Sequence, residues 1–191
     1  MSEIKNYFEN SSSIIKSLVD HESEINAICK EIINCNENDN KILVAGNGGS
    51  CSDSEHFVGE LQCTYKKRDR KPISAISLPS LPAAITAWSN DFGFDSYFKR
   101  QVEAHGKKGD ILFLISTGGG DEESGASMSL VLAAKEAKKR NLKIIALVGK
   151  SGGLLKDIAD ISIIVKSKVT SHIQESHIAL LHCICEKLES N

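Results

Sequence analysis

The sequence predicts an α/β fold: one domain over residues 1–191 with a five-stranded, mostly parallel sheet flanked by helices. Three observations predict it. Short apolar runs rich in β-branched residues alternate with helical patterns along most of the chain. A glycine-rich turn directly follows the first of those runs and opens a helical segment, as it does at the ligand end of open parallel sheets. The chain has 191 residues, enough for one substantial hydrophobic core and too few for two.

The first element is a helix over about 1–20, where Ile4, Phe8, Ile14, Ile15 and Leu18 form a broad apolar stripe. A second helix, about 22–35, carries Ile25, Ile28, Cys29, Ile32 and Ile33, and the polar run Asn34 to Asn40 ends it. Residues 1–36 thus form a helical extension ahead of the sheet, used either against a partner subunit or as a covering layer. Strands are expected at Lys41–Ala45, Ile73–Leu78, Asp110–Ile115, Lys143–Val148 and Ile161–Val165. Helices are expected at about 51–63, 81–89, 95–105, 125–140, 152–158 and 172–188. Right-handed crossovers follow from that alternation.

Composition narrows the function. The 23 Lys and Arg against 25 Asp and Glu give a net charge of -2, so nothing favours a nucleic-acid partner. No run approaches the length of a membrane span, and Met1 to Lys5 opens no signal peptide. A cytoplasmic location is therefore expected. The six cysteines contain no Cys-x-x-Cys pair, which disfavours a zinc ribbon or a redox motif; they are expected as free thiols, Cys29 and Cys183 as small core residues.

The turn Gly46-Asn47-Gly48-Gly49-Ser50 lets backbone N–H groups approach an anion at a helix N-terminus. It is neither a Walker A loop nor a dinucleotide fingerprint, because the glycine spacing of both fails. Ser50 and Asp53 have the spacing of a capping box; alternatively the Ser50 hydroxyl faces a ligand. His56 and Glu60, four apart on the next helix, share a face and suit either a metal or a proton-transfer site near the turn's ligand. Glu60 is the candidate general base. In the last helix Gln174, Ile178 and His182 share a face, and three of the chain's six histidines, His172, His177 and His182, fall in this helix. His172 suits the helix start, His177 a solvent position, and His182 either a core contact or proton exchange near neutral pH. His56, Glu60, Gln174 and His182 form a convergent set for a divalent metal. Asn90 and Asp91 read as a shaped loop that holds sugar hydroxyls or caps the next helix. Ser116, Thr117 and Gly118 to Gly120 leave a strand end with hydroxyl and N–H donors for a phosphate. The turn at 149–153 reads as structural.

Taken together, Gly46 to Ser50, His56-Phe-Val-Gly-Glu60-Leu61, Asn90 to Phe94, Ile115-Ser-Thr117 and Ile173-Gln-Glu-Ser-His177 leading to His182 resemble the phosphoheptose isomerases of the sugar-isomerase (SIS) domain family. The resemblance covers nearly the whole chain. It implies an aldose-ketose isomerase that turns sedoheptulose 7-phosphate into D-glycero-D-manno-heptose 7-phosphate, with Glu60 and His182 catalytic. It places Asn47, Gly48, Gly49, Ser50, Glu60, Asn90, Asp91, Ser116, Thr117, Gly118, Ser124 and Gln174 on the substrate. It implies one Zn(2+) at His56, Glu60, Gln174 and His182, no nucleotide or redox cofactor, a homotetramer with sites at subunit contacts, and a product used in lipopolysaccharide or capsule heptose. The sequence departs from the pattern at Gly118, where serine is usual, and in a longer 119–127 stretch that leaves Ser124 and Ser127 both open as phosphate contacts. Asp121, Glu122 and Glu123 in that stretch are expected to face solvent, cap a helix or touch sugar hydroxyls. Isomerisation of another phosphosugar, or non-catalytic sugar-phosphate binding, are the alternative readings.

Overall fold

The computed structural model describes residues 2–190 and contains one parallel sheet between two helical layers. The elements in chain order are α1 (Glu3–Ser17), a single 3-10 turn (Leu18–His21), α2 (Glu22–Glu37), β1 (Ile42–Gly46), α3 (Gly49–Gln62), β2 (Ala75–Ser77) and α4 (Pro82–Phe92). After a short 3-10 turn come α5 (Tyr97–His105), β3 (Ile111–Ser116), α6 (Met128–Lys139), β4 (Lys143–Gly149), α7 (Leu155–Ile158), β5 (Ile161–Val165) and α8 (Thr170–Ser190). Every expected strand and helix is present.

Strand order is β2-β1-β3-β4-β5, and all pairings are parallel. The chain moves outward from β1 to β2, then returns across β1 to β3. The order reverses between β1 and β3, and a crevice at such a reversal is where open α/β sheets bind ligands. Ile42 pairs with Ile111 and Gly46 with Ile115, so Asn47 and Ser116 emerge side by side at that crevice.

β1 and β3 are buried at every position because helices cover both of their faces, which explains their continuous apolar sequences. One core joins α2, α3 and α8 to the sheet through Ile28, Ile32, Phe57, Leu61, Leu181 and Ile184. The opposite core joins α5 and α6 through Tyr97, Phe98, Leu130 and Ala134. The two leading helices differ in burial. α2 is a covering layer, with Ile28, Cys29, Ile32 and Cys35 buried, whereas α1 buries only Ser11. Ile4, Phe8 and Val19 remain exposed. Tyr7 and Ser11 nevertheless tie α1 to α8 by hydrogen bonds to Glu175.

Two positions differ from expectation on α8. Cys183 is exposed, because it falls off the stripe that places Leu180, Leu181, Ile184 and Cys185 in the core. His177 is 0% exposed rather than solvent-facing. Burial pushes its imidazole pKa down to about 4, against a smaller opposing effect of the Val148 backbone. The folded site therefore stays neutral while the unfolded histidine protonates below its ordinary value of 6.5. Stability is full above that value and falls as pH drops toward 4, by up to about 3 kcal/mol. Thermal melts across this range should show a steeper loss for the wild type than for His177→Leu; parallel curves would show that His177 contributes nothing. Among the described residues no helix is long and apolar enough to cross a membrane.

Candidate functional site

The glycine turn opens α3 at the crevice. Gly48 is the N-cap, with φ +56, and no side chain caps the helix. Ser50 therefore lies inside the first turn, and the capping-box expectation fails because the cap is glycine. Gly49 has a separate requirement. A Cβ there would fall 2.3 Å from the Gln174 Nε2, so glycine lets the α8 amide lie against the turn. Asn47 Nδ2 donates to Ser129 Oγ at 3.1 Å, and its Oδ1 is buried without a protein partner.

Gln174 Nε2 also donates to Asp53 Oδ1 at 3.4 Å. Asp53 entered the sequence analysis only as the capping-box partner of Ser50, although it shares the α3 face of His56 and Glu60 at i, i+3 and i+7. Burial raises its pKa, while the Gln174 hydrogen bond and the nearby His56 oppose the rise. Its Oδ2 has no protein partner.

Further along the same two helices, His56 and His182 meet. Their Nε2 atoms are 2.9 Å apart, and His56 Nε2 lies 3.7 Å from Glu60 Oε1. His56 is exposed, while Glu60 and His182 are partly buried. α3 and α8 thus meet at two places, Gln174 with Gly49 and Asp53 at one and His56 with His182, beside Glu60, at the other. Eleven residues of helix separate Glu60 from Gly49, about 16 Å along the α3 axis. A ligand contacting both must be elongated.

Among the described residues no group of three or more His, Cys, Asp and Glu is arranged to hold a metal ion. The donor chemistry still suits zinc: two imidazole nitrogens face each other and a carboxylate flanks one of them.

At the β3 end, Ser116 Oγ donates to Ser127 Oγ at 3.2 Å and accepts from the Gly119 N–H at 3.0 Å. Thr117 and Gly118 are partly exposed beside them. The structure brings Ser127 to Ser116, whereas Ser124 turns away: its N–H and hydroxyl both bond Asp121 Oδ1, at 2.8 and 2.6 Å. Those bonds hold the Asp121 carboxyl below its usual pKa. Asp121, Glu122 and Glu123 are all exposed, which fits the expectation that they face solvent. Gly119 and Gly120 have φ values of +75 and +91 and lie against Gly152 and Val131 respectively, so they shape the turn.

Asn90 and Asp91 lie in the last turn of α4 rather than in a loop, because Gly93, at φ +84, ends the helix beyond them. Both are exposed, and Asn90 Nδ2 donates to Asp91 Oδ1 at 2.8 Å. α4 buries none of its residues although its sequence is largely apolar.

Residues 6–149 match the SIS domain. The chain is 40% identical to the phosphoheptose isomerase of Helicobacter pylori strain P12 over 185 residues, covering 97% of this chain and 93% of that protein. A phosphoheptose isomerase structure from Francisella tularensis superposes with a TM-score of 0.91 at 34% identity, over 100% of both chains. The corresponding structure from Neisseria gonorrhoeae gives 0.89 at 32% identity, over 98% of this chain and 97% of that one.

Proposed function

Because this chain belongs to the phosphoheptose isomerase family of SIS-domain proteins, we propose that it converts sedoheptulose 7-phosphate to D-glycero-D-manno-heptose 7-phosphate through an enediol. The observation that carries the reading is the meeting of Glu60, His56 and His182 where α3 packs on α8.

Glu60 takes the proton from C1 of the ketose, and the C1–H electrons form the C1=C2 bond of the enediol. The C2 oxygen gains a proton as its carbonyl closes. Return of a proton to C2 and loss of the O1 proton give the aldose. His182 exchanges the oxygen protons, a task suited to imidazole near neutral pH. The distance along α3 between Glu60 and the glycine turn supports a long substrate whose phosphate lies at the Ser50, Ser116, Thr117 and Ser127 end. Asn47, Gly48, Gly49, Gly118 and Gln174 line the path between. Asn90 and Asp91 on exposed α4 suit contacts made across a subunit boundary.

His56, Glu60 and His182 would hold a zinc ion, which when bound polarises the substrate carbonyl; Gln174, expected as a fourth ligand, is turned to Asp53 and Gly49 in this structure. Metal analysis with chelation and add-back tests this, and full turnover by metal-free protein would remove zinc from the reaction. The unburied apolar surface of α4 and the exposed Ile4, Phe8 and Val19 support a homotetramer. Light scattering over a range of concentrations should report four copies; a stable, active monomer would sink the proposal. The protein acts in the cytoplasm and supplies heptose for lipopolysaccharide or capsule.

Product analysis on a panel of ketose phosphates tests the central reading. Turnover of the seven-carbon ketose above five- and six-carbon analogues is expected. Tight binding of all of them without turnover would make the chain a sugar-phosphate-binding domain.

A further inference from the structure

The segment that follows α3 does more than connect it to β2. Glu189, in the last turn of α8, is 6% exposed and accepts the N–H groups of Tyr65, Lys66 and Lys67 at 3.0, 2.8 and 2.8 Å. Arg70 Nε adds a fourth donor at 3.2 Å. Three successive N–H groups form a concavity suited to an anion. Burial alone would raise the carboxyl pKa of Glu189, but these donors hold it down to about 2. An acid in the last turn of a helix opposes the helix dipole, so α8 itself gains nothing from this residue. Its partners lie in the segment after α3.

Both ends of the clasped segment touch the reacting groups. Arg70 Nη2 donates to the backbone carbonyl of Glu60, one of the acceptors that the end of α3 leaves open. The Tyr65 ring lies against the His182 imidazole, with centroids 5.8 Å apart and planes inclined by 26°. His182 in turn meets His56. One carboxylate thus fastens a short segment that supports Glu60 from its backbone and His182 from its ring face.

We propose that Tyr65, Arg70 and Glu189 are positioning residues of the isomerase, and that the Glu189 clasp fixes Glu60 and His182 relative to each other. The proposal rests on the catalytic roles given above to Glu60 and His182. Small displacements of reacting groups carry large rate costs, so loosening the clasp lowers kcat more than it raises KM.

The test combines kinetics with NMR of the His182 ring protons, which the Tyr65 ring current moves upfield. Glu189→Gln and Tyr65→Leu are expected to lower kcat at least about ten-fold with KM within about two-fold, and to shift the His182 signals. Tyr65→Phe, which keeps the ring, should restore both. Arg70→Lys provides a second probe if Glu189→Gln fails to fold. A folded variant with a displaced His182 signal and normal kcat would overturn the proposal. So would a variant that loses stability while kcat and the His182 signals stay unchanged, because the clasp would then be a stability element only. If Glu60→Gln retains full turnover, the catalytic reading fails instead, and the NMR arm still reports whether the clasp holds His182.

Discussion

Glu60→Gln is expected to lower kcat by about two to four orders of magnitude, the usual contribution of a positioned general base. The substitution keeps the size of the side chain and one oxygen acceptor, and removes the carboxylate proposed to take the C1 proton. Its fold cost should be small. Glu60 is partly buried, and the Arg70 bond goes to its backbone carbonyl, which glutamine retains. KM should change little, because the phosphate end of the site is about three helical turns away. Exchange of solvent deuterium into substrate at C1 should fall together with turnover. Normal exchange and turnover in the variant would remove Glu60 from the role of base.

The largest expected effect on stability is at Gly119. Gly119→Ala should destabilise the fold by about 2–4 kcal/mol, measured by denaturant unfolding. The new Cβ would stand 1.9 Å from the Gly152 carbonyl oxygen, and φ at this position is +75. Both partners are backbone, so no side-chain rotation relieves the clash. Gly153 faces the same restriction from the other side, with its Cβ position 2.5 Å from Gly120 O. Gly59→Ala is the control of opposite sign. Nothing lies within 4 Å of a Cβ there, and in the interior of α3 alanine is favoured by up to about 1 kcal/mol. Equal stability of the Gly119 and Gly59 variants would show that the 119–153 crossing is pliable.

The sheet was legible because its central strands are buried on both faces and read as unbroken apolar runs, as at Ile111 to Ile115. The functional end was legible because glycine and hydroxyl residues sit where those runs stop. Asn90 and Asp91 misled because short polar residues mark both loops and the last turn of a helix; Gly93 beyond them was the better signal. The capping-box alternative for Ser50 failed because the residue with the cap position is Gly48, which leaves Ser50 inside the first turn. Asp53 could have been found from its spacing to His56 and Glu60. The Glu189 clasp had no such signal. Its partners lie more than 100 residues upstream, and three of its four donors come from backbone, which the sequence does not distinguish.

The reversal of strand order between β1 and β3 also bears on how the protein comes apart. β1 and β2 are joined by one crossover, and β3, β4 and β5 by two successive ones, so each group closes over a shorter stretch of chain. The β1–β3 pairing, Ile42 with Ile111, spans the longest interval of any neighbouring strands in the sheet. It is a seam between two more locally connected halves, and its closure carries the largest loop entropy. The crevice opens on that seam, with Asn47 on one bank and Ser116 on the other. A phosphosugar that contacts both banks would act as a rivet across that junction. Occupancy should then prolong the lifetime of the folded state chiefly by slowing unfolding, since a contact made only after the seam has closed does nothing to speed folding.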